Sequence, residues 1–106
     1  MSDIPPQLDA ASRKILVASA KKILQKNILG SFTKPAPALY PHQWNWDAGF
    51  IALGYARTDF HQACSELSHL FRGQWANGMV PQIVFSTKNI GKYFPGYRFW
   101  ETKGVP

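Results

Sequence analysis

Eight consecutive residues, Tyr40-Pro41-His42-Gln43-Trp44-Asn45-Trp46-Asp47, bring aromatic rings together with short hydrogen-bonding side chains. Flat ring faces suit the C–H faces of a pyranose, and amide and carboxylate groups can bridge vicinal hydroxyls with paired hydrogen bonds. That mixture fits carbohydrate better than nucleic acid. A plainer reading stands beside it, in which Trp44 and Trp46 are core residues fixing the start of a helix and Asp47 caps it. The two are compatible, because a capping carboxylate at the lip of a pocket keeps a second oxygen for a ligand. His42 shares the motif and fits either a ligand contact or a satisfied structural histidine.

The acids of the chain are Asp3, Asp9, Asp47, Asp59, Glu66 and Glu101. Only Asp47 and Glu101 lie near the aromatic motifs. An acid–base pair needs both carboxyls on a rigid support, and Glu101 sits in the Gly- and Pro-rich closing stretch, so the two do not read as a pair. Asp47 reads as a binder of sugar hydroxyls, and no catalytic residue is assigned. His61, Cys64 and His69 share one segment, but spacings of i, i+3 and i+8 do not bring three ligands to one point, so no metal site is expected.

Elements must hold the aromatic motif in place. From Pro6 to Ile28, apolar residues at Leu8, Ile15, Leu16, Ala20, Ile23, Leu24 and Ile28 predict a helix with one buried stripe, with Pro5 and Pro6 in its first turn and Gly30 as its stop. Thr33 to Leu39 reads as an extended connector. Asp47 to Arg57 is apolar or small on nearly every side, which predicts a helix packed on several faces. Thr58 or Asp59 offers the cap of a third helix, with Phe60, Cys64, Leu67, Leu70 and Phe71 as its inward stripe. Gln62, Ser65, Glu66 and Arg72 take its outer face, and Asn77-Gly78 ends it. Met79 to Phe85, interrupted by Pro81, reads as an extended loop. Lys88 to Pro106 closes no element, and the chain looks cut there.

The chain has 106 residues, 45% hydrophobic and 14% aromatic, a globular composition with more ring surface than so small a core needs. The formal net charge of +6 raises nucleic acid or an anionic surface as partners. Arg13, Lys14, Lys21, Lys22 and Lys26 lie on one amphipathic segment and the remaining cations are scattered, which reads as a solvated face. A lone Cys64, no leader-like start and no long apolar run together predict a soluble, cytoplasmic chain. Two readings from other classes stay open. Lys92-Tyr93-Phe94 and Tyr97-Arg98-Phe99-Trp100 could form a stacking platform for single-stranded nucleic acid, and the surplus apolar surface could serve a helical interaction module.

Three blocks carry a resemblance: Tyr-Pro-His-Gln-Trp-Asn-Trp-Asp-Ala-Gly-Phe at 40–50, Gln74-Trp75-Ala76-Asn77-Gly78-Met79-Val80-Pro81-Gln82-Ile83-Val84-Phe85, and Tyr93-Phe94-Pro95-Gly96. In this order and spacing they resemble the start of mannosylglycerate and glucosylglycerate hydrolases, which are similar to glucosidase I, trehalase and glycogen-debranching enzymes. The resemblance implies an all-α chain, residues 1–106 forming the first helices of a single toroid of six α-hairpins with long aromatic loops. Tyr40, Trp44, Trp46 and Asp47 would line the subsite that grips the sugar to be cleaved. Gln43 and Gln82 are further candidates, and Tyr93 would belong to a mobile loop over the entrance. Glycerate-specific members tend to place His where this chain has Gln82, which leaves the acceptor group open. The family cleaves with inversion, using an Asp acid and a Glu base roughly 6.5–9.5 Å apart, both of which lie far downstream of such a start. The implied partner is a small α-glucoside or α-mannoside, including one of glycerate. No cofactor, membrane or nucleic acid is implied, and self-association through exposed apolar surface is expected of this chain alone.

Overall fold

The structure, a computed structural model, describes residues 6–100. Helix α1 spans Ala10–Lys26 and is capped by Asp9, whose carboxylate accepts from the Ser12 peptide N–H at 2.7 Å. It ends earlier than expected, at Asn27. From there the chain enters an antiparallel hairpin of β1 (Ile28–Leu29) and β2 (Phe32–Thr33), in register Ile28↔Thr33 and Leu29↔Phe32. Gly30, with φ of 66°, supplies the left-handed residue of that turn rather than a helix stop. The segment expected to be an extended connector from Thr33 instead starts in β2 and folds back on itself, the Tyr40 N–H donating to the Ala36 carbonyl at 2.9 Å.

Strand β3 (Gln43–Trp44) runs directly into helix α2 (Asn45–Ala56), followed by α3 (Phe60–Phe71). Asp59 caps α3 through the Gln62 N–H at 3.0 Å, one of the two residues the sequence offers for that task. α3 stops well short of Asn77-Gly78. Those two residues make a separate tight turn, in which the Met79 N–H donates to Asn77 Oδ1 at 3.0 Å and the Trp75 N–H to the Met79 carbonyl at 2.8 Å. Within the stretch expected to be a loop, Ile83–Val84 form β4, which pairs with β3 in register Gln43↔Val84 and Trp44↔Ile83. Pro81, which cannot donate to a ladder, stays outside it. Short 3-10 turns follow at Thr87–Asn89 and Tyr97–Trp100. The expectation of an all-α chain therefore needs correction. Three helices carry most of the regular structure, but two pairs of two-residue strands fix the ends of α1 and α2.

The core joins Ala52 and Tyr55 of α2 to Ala63 of α3, with Leu24, Ile28 and Ile51 against them. Small residues at the α2–α3 contact let the two backbones approach closely. The other faces are bare: no residue of α1 is buried, and Phe60, Leu67 and Phe71 on α3 are exposed, as is Cys64. The inward stripe expected on α3 is thus reversed apart from Leu70. Ala63, Glu66 and Leu70 face inward, because that side docks on β2 and β3, which present polar groups, and Ser65 donates to the Ser31 carbonyl at 3.0 Å. With α1 lying against so little, the radius of gyration is 16.9 Å, against about 13 Å for a compact chain of this length. Among the described residues no helix is long and apolar enough to cross a membrane.

Candidate functional site

The corner where β3 becomes α2 carries four of the candidate residues, Gln43, Trp44, Trp46 and Asp47, and strand alternation sorts those on β3. His42 and Trp44 point to one side. Trp44 meets Tyr40 edge-on at 5.0 Å between ring centroids and Tyr93 edge-on at 5.0 Å, while His42 lies 4.8 Å from Phe85 and 6.2 Å from Tyr93. Three expected site residues, Tyr40, Trp44 and Tyr93, therefore share one aromatic cluster although 53 positions separate the first from the last. Trp44 is only 8% exposed and packs as part of the wall, whereas Tyr40 keeps an accessible edge.

Trp46 and Asp47 stand one turn further on, in the first turn of α2. Trp46 is 69% exposed and rests edge-on against Phe50 at 5.7 Å, which leaves a ring face for a ligand. Asp47 does not cap the helix as expected. Trp44 occupies the cap position without a side-chain bond, and Asp47, three residues on, opposes the positive end of the helix dipole. Among the described residues its carboxylate makes no hydrogen bond, so both oxygens remain for a ligand. The Asn45 side chain is spent differently: its amide donates to the Pro81 carbonyl at 3.0 Å and its backbone N–H to the Gln82 carbonyl at 2.9 Å, tying the corner to β4.

The remaining candidates lie elsewhere. Gln82 borders an apolar cavity of about 520 Å³ lined also by Trp75, Met79, Pro81, Phe85 and Trp100, and none of Tyr40, Trp44, Trp46 or Asp47 reaches it. Gln43 points away from the aromatic cluster into the seam with α3 and is completely buried. Its Nε2 donates to the Glu66 carbonyl at 2.9 Å and to Glu66 Oε1 at 3.1 Å, and its Oε1 lies 2.7 Å from His69 Nδ1.

Two titratable groups in this region have no role that the sequence suggests. Glu66 is wholly buried, and that burial raises its carboxyl above the ordinary range, partly offset by the neighbouring Thr33 and by Gln43; its Oε2 has no hydrogen-bond partner among the described residues. His69, stacked on Phe32 at 4.8 Å, is lowered by burial and then by the charge of Arg72. Neither is visible from its neighbours in sequence, since both bond to Gln43 across more than twenty positions. His42 is fixed as well. Its Nδ1 accepts from the Ser86 N–H at 3.0 Å, so the neutral ring carries its proton on Nε2, and burial holds it below its ordinary value. Among the described residues no three His, Cys, Asp or Glu side chains gather as a metal site.

The corner thus combines packed rings, one exposed Trp and one carboxylate without a hydrogen bond among the described residues. The family model described as the mannosylglycerate hydrolase MGH1-like glycoside hydrolase domain matches residues 40–106, so the chain belongs to that family. It is 52% identical over 91 residues to a mannosylglycerate hydrolase of Rubrobacter radiotolerans, covering 86% of this chain and 20% of the relative. It is 47% identical over 87 residues to a glucosylglycerate hydrolase of Mycolicibacterium hassiacum, covering 82% and 19%. Among solved structures, a GH63 mannosylglycerate hydrolase of Thermus thermophilus, in complex with Tris and D-glycerate, superposes with a TM-score of 0.71 at 49% identity, over 76% of this chain and 20% of that one. The chain spans about a fifth of the length of the curated relatives it matches.

Proposed function

We propose that these residues form the sugar-gripping part of a glycoside hydrolase that cleaves a small α-glucoside or α-mannoside with inversion, a glycerate glycoside being the first to test. Residues 1–106 supply the opening helices of one six-hairpin toroid in a longer polypeptide, and the catalytic Asp and Glu come from its later part. The observation that carries this reading is the corner itself, where exposed Trp46 and Asp47, without a hydrogen bond among the described residues, open α2 just after Trp44 of the Tyr40–Trp44–Tyr93 cluster. Trp46 stacks on the pyranose, and Asp47 accepts hydrogen bonds from its hydroxyls, contacts that tighten as the ring flattens towards the transition state. Tyr93 closes over the entrance. Gln82, bordering its own cavity, bears on the aglycone rather than on the cleaved ring.

The test is hydrolysis of mannosylglycerate and glucosylglycerate by the polypeptide at the relatives' full length, with the anomer of the released sugar read by NMR. Trp46→Ala and Asp47→Ala should each lower kcat/KM by about two orders of magnitude. Near-normal kinetics in both would remove the corner from the site, and a wild type that releases no sugar from either compound would remove the glycosidase reading.

A further inference from the structure

The Gln43–Glu66–His69 set has no part in the sugar subsite as described, yet two of its three members are wholly sealed from solvent. Gln43 and Glu66 are both 0% exposed. The orientation of the Gln43 amide is dictated by its surroundings. One end faces the Glu66 carbonyl and Oε1, both acceptors, so that end is the NH2. The other end is the carbonyl oxygen, and His69, 2.7 Å away, must carry its hydrogen on Nδ1. Every link is directional, and an apolar isostere at Gln43 would fill the same volume with none of that direction.

The position of Gln43 gives the direction its meaning. It precedes Trp44 by one residue, and β3 has only two residues in which to hold its register against β4. A one-residue slip in a strand exchanges its faces, which would turn Trp44 into the seam and Gln43 out. Two ladder positions resist such a slip weakly. A side chain clamped by a helix at three points resists it strongly, and α3 is itself anchored to the β1–β2 turn through Ser65 and to Phe32 through the His69 ring.

We propose that Glu66 and His69 are positioning residues for the sugar subsite: by clamping Gln43 they lock β3 in register, and so set where Trp44, Trp46 and Asp47 present themselves. This rests on the reading of the corner as the sugar subsite. The clamp acts through hydrogen bonds rather than through bulk, and two substitutions at one position separate these. His69→Phe keeps a ring against Phe32 and removes the Nδ1–H donor, while His69→Asn loses the ring and keeps an N–H donor of similar reach. Gln43→Met preserves volume and cuts both links, and Glu66→Gln preserves an acceptor for Gln43.

The four variants are compared in the full-length polypeptide by steady-state kinetics on mannosylglycerate, by Tris binding, by thermal melting and by hydrogen exchange at the Asn45 amide, which bonds to the Gln82 carbonyl across the corner. Gln43→Met and His69→Phe should raise KM and weaken Tris by roughly tenfold or more, with cooperative melts retained and Asn45 exchange faster by a similar factor. His69→Asn and Glu66→Gln should recover most of both. Wild-type values in Gln43→Met and His69→Phe, or greater damage in His69→Asn than in His69→Phe, would overturn the proposal in favour of plain packing. If the wild type hydrolyses nothing, the functional reading falls, and the Asn45 exchange rates still decide whether the clamp sets the corner.

Discussion

The seam between β3 and the inner face of α3 contains Gln43, Glu66, Thr33 and part of His69, all polar and nearly all sealed from solvent, while the opposite face of the same helix carries Phe60, Leu67 and Phe71 in the open. Hydrophobicity would place these two faces the other way round. Among the described residues the seam's hydrogen bonds come from within residues 31–69, with Glu66 Oε2 left without a partner. The outer faces of α1 and α3 are surfaces of the ordinary burying kind, left exposed among the described residues. A segment spanning a fifth of its relatives' length can complete a polar clamp locally, because hydrogen bonds need one partner each, but it cannot complete a hydrophobic layer, which needs area.

The comparison breaks most readily at the seam. Glu66→Lys puts a cation with no counter-charge where Gln43 Nε2 already presents a donor, and it should cost about 3–5 kcal/mol, enough to unfold the polypeptide or leave it aggregating. Urea denaturation measures it. A loss under about 1 kcal/mol would mean that water reaches the seam, since an exposed substitution falls in that range.

Leu67→Lys on the bare face sharpens the contrast. In the 106-residue chain it should change stability by no more than about 0.5 kcal/mol and improve solubility, whereas in the full-length polypeptide it should cost about 2–4 kcal/mol once other helices cover that face. Equal penalties in the two contexts would mean that nothing further packs there.

These two faces also mark where the sequence can and cannot be read. The 3.6-residue spacing of Phe60, Leu67 and Phe71 does identify a face made to be covered, but periodicity says nothing about which polypeptide segment covers it. Sequence pattern assigns Glu66 to solvent because isolated carboxylates belong there, and only its partner on β3, 23 positions away, changes that. The cap at Asp59 is legible because the capping bond spans three residues. The grouping of Tyr40 and Trp44 is legible for the same reason of proximity, whereas β4 is hidden, since a two-residue strand beside Pro81 owes its form to β3 rather than to its own residues. Gln43 shows the limit most clearly. Its type and its place in the aromatic motif fit a sugar-binding amide, and only its facing elements turn it inward.

The smallest effect separates the two titrating sides of the seam. Burial raises Glu66 above its ordinary 4.5, so the folded chain holds that proton more tightly than the unfolded chain does. The stability this contributes is complete below pH 4.5 and is lost as pH rises through the raised folded value. His69 and His42 run oppositely. Both are lowered from 6.5, so their contribution is complete above that value and declines as pH falls towards their folded values. Glu66→Gln removes the first dependence and keeps the second, because its amide oxygen still accepts from Gln43. Melting temperatures taken between about pH 5 and pH 8 should therefore rise in the variant relative to the wild type as pH increases, while the decline below 6.5 is common to both. Parallel profiles across that range would mean that Glu66 binds its proton equally in the folded and unfolded chains, and the seam would then be wetter than its burial shows.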